Sequence, residues 1–125
     1  MSHQETLHNY LNEIASDLGG FIGASIVDLD TGMSLATNSR YPNFDLDVAA
    51  AYNSEMVKSK FKAMDALNIP RTGLQDMLLT LNDQFHLIKM MDNNLFVYVA
   101  AFSDQTNLAL MRNVVKSGLN KHGLS

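Results

Sequence analysis

The chain has 125 residues, 46% of them hydrophobic and 18% charged, with a net charge of −4. That length and balance fit one folded domain (1–125) burying about two thirds of its unfolded surface, and they exclude intrinsic disorder. Nine lysines and arginines scattered along an acidic sequence make no basic stripe for nucleic acid, and the lack of cysteine excludes disulfides, thiolate catalysis and Cys-based metal sites.

Ser2 and Glu5 have the spacing of a capping box, in which a hydroxyl and a carboxylate each satisfy an orphan backbone N–H. Leu7, Tyr10, Leu11, Ile14 and Leu18 follow at steps of three and four, predicting an amphipathic first helix that Gly19-Gly20 terminates. Phe21 to Asp28 reads as a strand, Asp28-Leu29-Asp30-Thr31-Gly32 as a tight turn, and Met33 to Ser39 as the return strand of a hairpin. The small residues Gly23, Ala24 and Ser25 predict a central strand that a helix approaches closely.

Past Pro42, Asp45 is placed to cap a helix running from Leu46 to Ala66. Leu46, Ala50, Val57, Phe61 and Met64 form one apolar stripe at 3.6 residues per turn, and Ala49, Tyr52, Met56 and Ala63 form a second beside it. Only Glu55, Lys58, Lys62 and Asp65 make a clearly polar strip. One sheet covers one stripe, so the second asks for another partner, and a second copy of the chain is the simplest candidate.

This helix ends before Pro70, and Gly73 is expected to open the next strand. Leu74 to Leu81, Gln84 to Met91 and Leu95 to Phe102 read as a three-strand meander with turns at Asn82-Asp83 and Asp92-Asn93-Asn94. The last strand is apolar on both faces, Leu95, Val97 and Val99 on one and Phe96, Tyr98 and Phe102 on the other, so it is expected to be covered on both sides. Thr106 is the expected cap of a final helix carrying Leu108, Met111, Val115 and Leu119. The expected fold is α+β, in the order α-β-β-α-β-β-β-α, with a five-stranded antiparallel sheet and helices on both faces.

No catalytic set emerges from the titratable residues. Ser59-Lys60-Phe61-Lys62 matches the S-x-x-K of serine acyl-transferases, but that chemistry needs the serine at a helix N-terminus, and neither S-D-N nor K-T-G follows. His3, His8, His86 and His122 are dispersed, no pair has the i, i+4 spacing of a shared metal, and His86 reads as an ordinary strand residue. Asp28 and Asp30 flank a hairpin turn, where Asp serves local backbone hydrogen bonds. Asp92-Asn93-Asn94 is too short for a calcium loop, and no P-loop motif occurs. The eight methionines, among them Met56, Met64, Met77, Met90, Met91 and Met111, read as core, with Met56 and Met64 also suited to an adaptable interface. Arg40, Arg71 and Arg112 read as solvated charges. The expectation is a non-enzyme with no catalytic, cofactor or metal site. The N-terminus, Met1-Ser2-His3-Gln4-Glu5, has no basic segment leading into an apolar one, and the run Leu95 to Phe102 falls short of the roughly 20 residues of a membrane helix. A soluble cytoplasmic protein without membrane insertion is expected.

Several of these patterns resemble the Roadblock family, whose founding members are dynein light chains. The family's first hairpin, of the character I-x-G-a-x-V-v-D-x-d-G-x-x-l-A, is matched by the residues from Phe21-Ile22-Gly23-Ala24 through Val27-Asp28-Leu29-Asp30-Thr31-Gly32 to Leu35-Ala36. Its alanine-rich second helix start is matched by Val48-Ala49-Ala50-Ala51, and its N-L-G-L-x-R last-helix start by Asn107-Leu108-Ala109-Leu110-Met111-Arg112, with Ala109 in place of the glycine. The resemblance runs from about Leu7 to Leu119 and implies a Roadblock/longin/profilin-like sheet. It further implies a homodimer in which second helices pack together and third strands pair, with Ala49, Tyr52, Met56, Ala63, Leu74 and Met77 at the interface. Bacterial relatives commonly regulate Ras-like small GTPases and eukaryotic ones act as dynein or trafficking scaffolds, so a non-catalytic dimeric regulator or scaffold of a Ras-like GTPase is the leading expectation. The polar strip Glu55, Lys58, Lys62 and Asp65 is its expected contact surface. A small-molecule sensor and an assembly module unrelated to GTPases are the alternatives.

Overall fold

In the computed structural model, which describes residues 2–124, the helix expected first runs over His3–Asp17 (α1). Ser2 caps it by accepting a hydrogen bond from Glu5 N at 3.1 Å. Leu7, Tyr10, Leu11 and Ile14 are fully buried, and the chain leaves the helix through Leu18 and Gly20, whose φ of +71° suits glycine. Strands β1 (Phe21–Asp28) and β2 (Ser34–Ser39) form the hairpin. β2 starts one residue later than expected because Met33 N is taken by Thr31 Oγ1 inside the turn. A Cβ built on Gly23 would lie 3.4 Å from both Leu46 and Phe44, so the small residues of β1 do accommodate the start of a helix.

That helix, α2, spans Leu46–Ala66, with Asp45 accepting from the N–H groups of Asp47 and Val48. Gly73 opens no strand; it closes a 3-10 turn, Arg71–Gly73, in which Gly73 N donates to Pro70 and Leu74 N to Arg71. Strand β3 is accordingly shorter than the expected Leu74–Leu81, covering Asp76–Thr80. β4 is Gln84–Met90, and β5 is Leu95–Phe102 as expected. The final helix, α3, is Leu108–Lys121, and its cap is Asn107, not Thr106: the Asn107 carboxamide accepts from Leu110 N at 2.9 Å.

The strands form one antiparallel sheet in the order β2-β1-β5-β4-β3. β5 lies at its centre, and its alternating side chains feed two separate core layers. Leu95, Val97 and Val99 face α1 and α3, while Phe96, Tyr98 and Ala100 face α2. The first layer contains all the buried leucines of α1 together with Met111, Val115 and Leu119 of α3. The second contains the whole first stripe of α2, Leu46, Ala50, Val57, Phe61 and Met64. Met64 is therefore core and not part of an outward surface. Among the described residues no helix is long and apolar enough to cross a membrane.

Candidate interaction surfaces

Helix α2 lies closest to β1 and β2, touches the Arg71–Gly73 turn and packs on β5 and Ile88 of β4, and it leaves the β3 side of its face incompletely covered. On the β4–β3 half, the cross-strand pairs Met77–Ile88 and Leu79–His86 share the face of α2. Ile88 is buried, Met77, His86 and Met90 are half-buried, and Leu79 is exposed. Strand β3 pairs with β4 on one side and forms an edge of the sheet on the other. A half-covered apolar face ending in an unpaired edge is a surface that either aggregates or finds a partner.

The second stripe of α2 borders this region. Ala49 and Met56 are half-buried and pack against the same core layer as Leu74 and Met77, while Ala63 is exposed and Tyr52 is 74% exposed. Val48, one turn before Tyr52, is 52% exposed and extends the apolar line beyond the expected stripe. Phe44 and His86, also on this face, meet edge to face with ring centres 6.2 Å apart. No periodicity within one element signals that pair, because it joins a loop to a strand.

The expected partner strip is less free than its helical spacing implies. Glu55 is exposed, and Lys58 lies 3.8 Å from it while its Nζ donates to the Asp30 carbonyl at 3.3 Å. Asp65 is clasped by Arg71 through two hydrogen bonds, 3.1 Å from Nε and 2.6 Å from Nη2, and the guanidinium lies over the Phe61 ring at 5.1 Å. These bonds hold the Asp65 carboxyl below its ordinary range. Lys62 is exposed. The other two arginines are also tethered: Arg112 pairs with Asp76 at 3.1 Å, and Arg40 donates to the Ala15 carbonyl and sits over Phe21.

Where sequence motifs hinted at chemistry, the geometry assigns local structure. Ser59 is an exposed residue in the middle of α2, where the backbone N–H groups are spent on the helix. Asp28 Oδ1 accepts from Asp30 N at 3.0 Å, the turn-forming bond expected of that spacing. Asn93 and Asn94 adopt positive φ in the β4–β5 turn. His86 is bonded between Gln84 Oε1 at 2.7 Å and the Tyr98 hydroxyl at 3.1 Å. A neutral ring protonated on Nε2 donates to the first and accepts from the second. Burial holds its pKa below the ordinary value and pushes the Tyr98 phenol up to about 12. Among the described residues no three His, Asp or Glu side chains converge as metal ligands.

No protein-family model matches the chain, and no curated protein does. Solved structures match it over almost its whole length. The MglB of Myxococcus xanthus superposes with a TM-score of 0.85 at 12% identity, over 97% of this chain and 87% of that one. An MglB with a tetrameric arrangement gives 0.82 at 14% identity, over 98% and 89%. A Roadblock/LC7 domain from Streptomyces avermitilis gives 0.71 at 16% identity, over 93% and 96%. With five antiparallel strands, helices on both faces and the same element order, the chain has the Roadblock/LC7 fold.

Proposed function

We propose that two copies of this chain pair through the second stripe of α2 and the β3 edge, and that the dimer regulates or scaffolds a Ras-like small GTPase without doing chemistry itself. The observation that carries the pairing is the incompletely covered sheet face: Leu79 of β3 is exposed and Met77 and His86 are half-buried, while α2 shows Val48 and Tyr52 to solvent. A two-fold partner places its own α2 beside Ala49, Tyr52, Met56 and Ala63, and its β3 against Leu74 and Met77. That one neighbour removes both the apolar exposure and the unpaired edge. An MglB of the same fold has a tetrameric arrangement, which supports self-association in a chain built this way.

The GTPase half of the proposal rests on the Roadblock resemblance together with the exposed apolar and polar strips of α2, which offer surfaces to a partner. A regulator of this kind acts by ordering the GTPase's own switch residues, so it needs no active site. Glu55, Lys58, Lys62 and Asp65, which border the paired helices, are the proposed contact. The test is to measure binding of a Ras-like GTPase from the source organism, loaded with GDP or with a non-hydrolysable GTP analogue. The GTP form is expected to bind about 5- to 150-fold more tightly, the ordinary span of a switch coupling, and Lys62→Glu to weaken it. Equal affinity for the two states removes the regulatory reading and leaves a scaffold. No binding overturns the GTPase assignment.

A further inference from the structure

More than half of this acidic chain's cations line one cleft. Lys58 and Lys62 of α2, Arg71 of the 3-10 turn, Lys89 of β4 and Lys116 of α3, five of the nine lysines and arginines, line a cleft of about 730 Å³. They come from four different elements, so only the folded chain brings them together. Leu29, Phe61 and Met90 supply an apolar wall, and Asn94 and Asn120 add side-chain amides. The volume lies inside the roughly 300–1,000 Å³ of small-molecule sites, and an apolar wall with a few convergent polar groups is their usual make-up.

Among the described residues the carboxylates nearby offset part of the cleft's charge and leave Lys62, Lys89 and Lys116 against two carboxylates outside ion pairs, Asp30 and Asp92. Asp30 and Asp92 line it, Glu55 lies beside Lys58, and Asp65 holds Arg71. Among the described residues Lys62, Lys89 and Lys116 have no ion-pair partner; the Lys89 ammonium donates to the Gln75 carbonyl at 3.3 Å, which leaves its charge uncancelled. Unpaired like charges in a concavity raise the local potential and draw in anions. Ammonium groups meet phosphate as point charges, and three of them around one cleft suit a group carrying more than one negative charge.

We infer that this cleft binds a small phosphate ester with two or more negative charges, its phosphates against Lys62, Lys89 and Lys116 and its organic body on Phe61, Met90 and Leu29. The cleft shares Lys58 and Lys62 with the proposed GTPase contact and Leu74 with the proposed pairing surface, but the inference rests on neither reading, and its test contains neither a GTPase nor an interface variant. The full chain is titrated calorimetrically at low ionic strength with adenosine diphosphate, inorganic pyrophosphate and adenosine as probes. The diphosphate is expected to bind below about 1 mM, pyrophosphate more weakly and adenosine not at all. The double variant Lys89→Ala with Lys116→Ala is expected to lose about tenfold or more, while Lys60→Ala with Lys121→Ala, the same charge change outside the cleft, stays within about twofold. Amide shifts on titrating the unaltered protein are expected at Lys62, Asn94, Lys116 and Asn120, a readout that needs no variant. Equal weakening by the two double variants, or shifts scattered over the surface, reduces the effect to diffuse attraction and overturns the site. Adenosine binding as tightly as the diphosphate also overturns it. Pyrophosphate binding as tightly as the diphosphate overturns the assignment of the apolar wall.

Discussion

At the scale of single residues the clearest constraint is Gly118. It sits inside α3, where glycine lowers helix stability, yet a Cβ there would lie 2.6 Å from Tyr10 Cε1 and 3.0 Å from Cδ1. Tyr10 has no room to give. It is fully buried, and its hydroxyl donates to the Val115 carbonyl at 2.7 Å, one turn from the glycine. Burial also pushes its phenol pKa well up, so the group stays a donor. Gly118→Ala is therefore expected to destabilise by about 1–3 kcal/mol in denaturant unfolding, although alanine is the better helix former by up to about 1 kcal/mol. A variant as stable as the parent would mean that α1 and α3 separate freely. Asn107 is a second such position. Removing its carboxamide with Asn107→Ala leaves Leu110 N without its partner and is expected to cost about 1 kcal/mol, whereas Thr106→Ala leaves the cap intact.

Between elements, α1 and α3 are tied at their far ends by Glu13. Its carboxylate accepts from the Lys121 ammonium at 2.6 Å and lies 2.5 Å from His122 Nε2. The Lys121 hydrogen bond first, and the His122 contact second, hold the Glu13 carboxyl below its ordinary value of 4.5. A carboxyl lowered in the folded state adds stability that is fully present above 4.5 and is lost as the pH falls through the folded value. Thermal unfolding of the parent is expected to fall more steeply below pH 4.5 than that of Glu13→Gln, with the two curves running parallel at neutral pH. Parallel curves throughout would remove the tie. Because the groups are accessible to water, the neutral-pH difference is expected to be small.

For the whole molecule the deciding feature is the unequal cover of the sheet. One face has α1 and α3 across it; the other has α2 alone, closest to β1 and β2, with Leu79 of β3 left exposed. The proposed dimer follows from that asymmetry, and light scattering checks it. The parent is expected at twice 13.8 kDa at micromolar concentration. Tyr52→Glu or Met56→Glu would bury an unpaired charge in the pairing surface, at a cost on the order of 3 kcal/mol, and is expected to shift the protein to monomer without unfolding it. Tyr52 is the cleaner test, since it is 74% exposed in the single chain and its substitution leaves the core untouched. A dimer indifferent to both changes would place the contact elsewhere.

Most of the fold was legible in the sequence because it is written in periodicity. The period of 3.6 in α1, α2 and α3 and the two-sided apolar run of β5 state which side chains must leave water, and an antiparallel sheet with helices on both faces is the small set of layers that satisfies them. Errors fell where backbone hydrogen bonds compete over one or two residues: the 3-10 turn that shortens β3, and the cap that passes from Thr106 to Asn107. The surfaces were legible only in part. The second stripe of α2 announced an outward face, but periodicity within one helix says nothing about where that helix lies on the sheet, and so nothing in it joins Val48, Leu79 and His86 to that face. Nor does it count partners, which is why a strip that reads as free charge contains an Asp65 already held by Arg71. The cleft of Lys62, Lys89 and Lys116 left no trace in the sequence, since residues 62, 89 and 116 share no spacing. Their convergence was decided by the tertiary packing of α2, β4 and α3, because charge acts through distance in space and the chain records only order along its length.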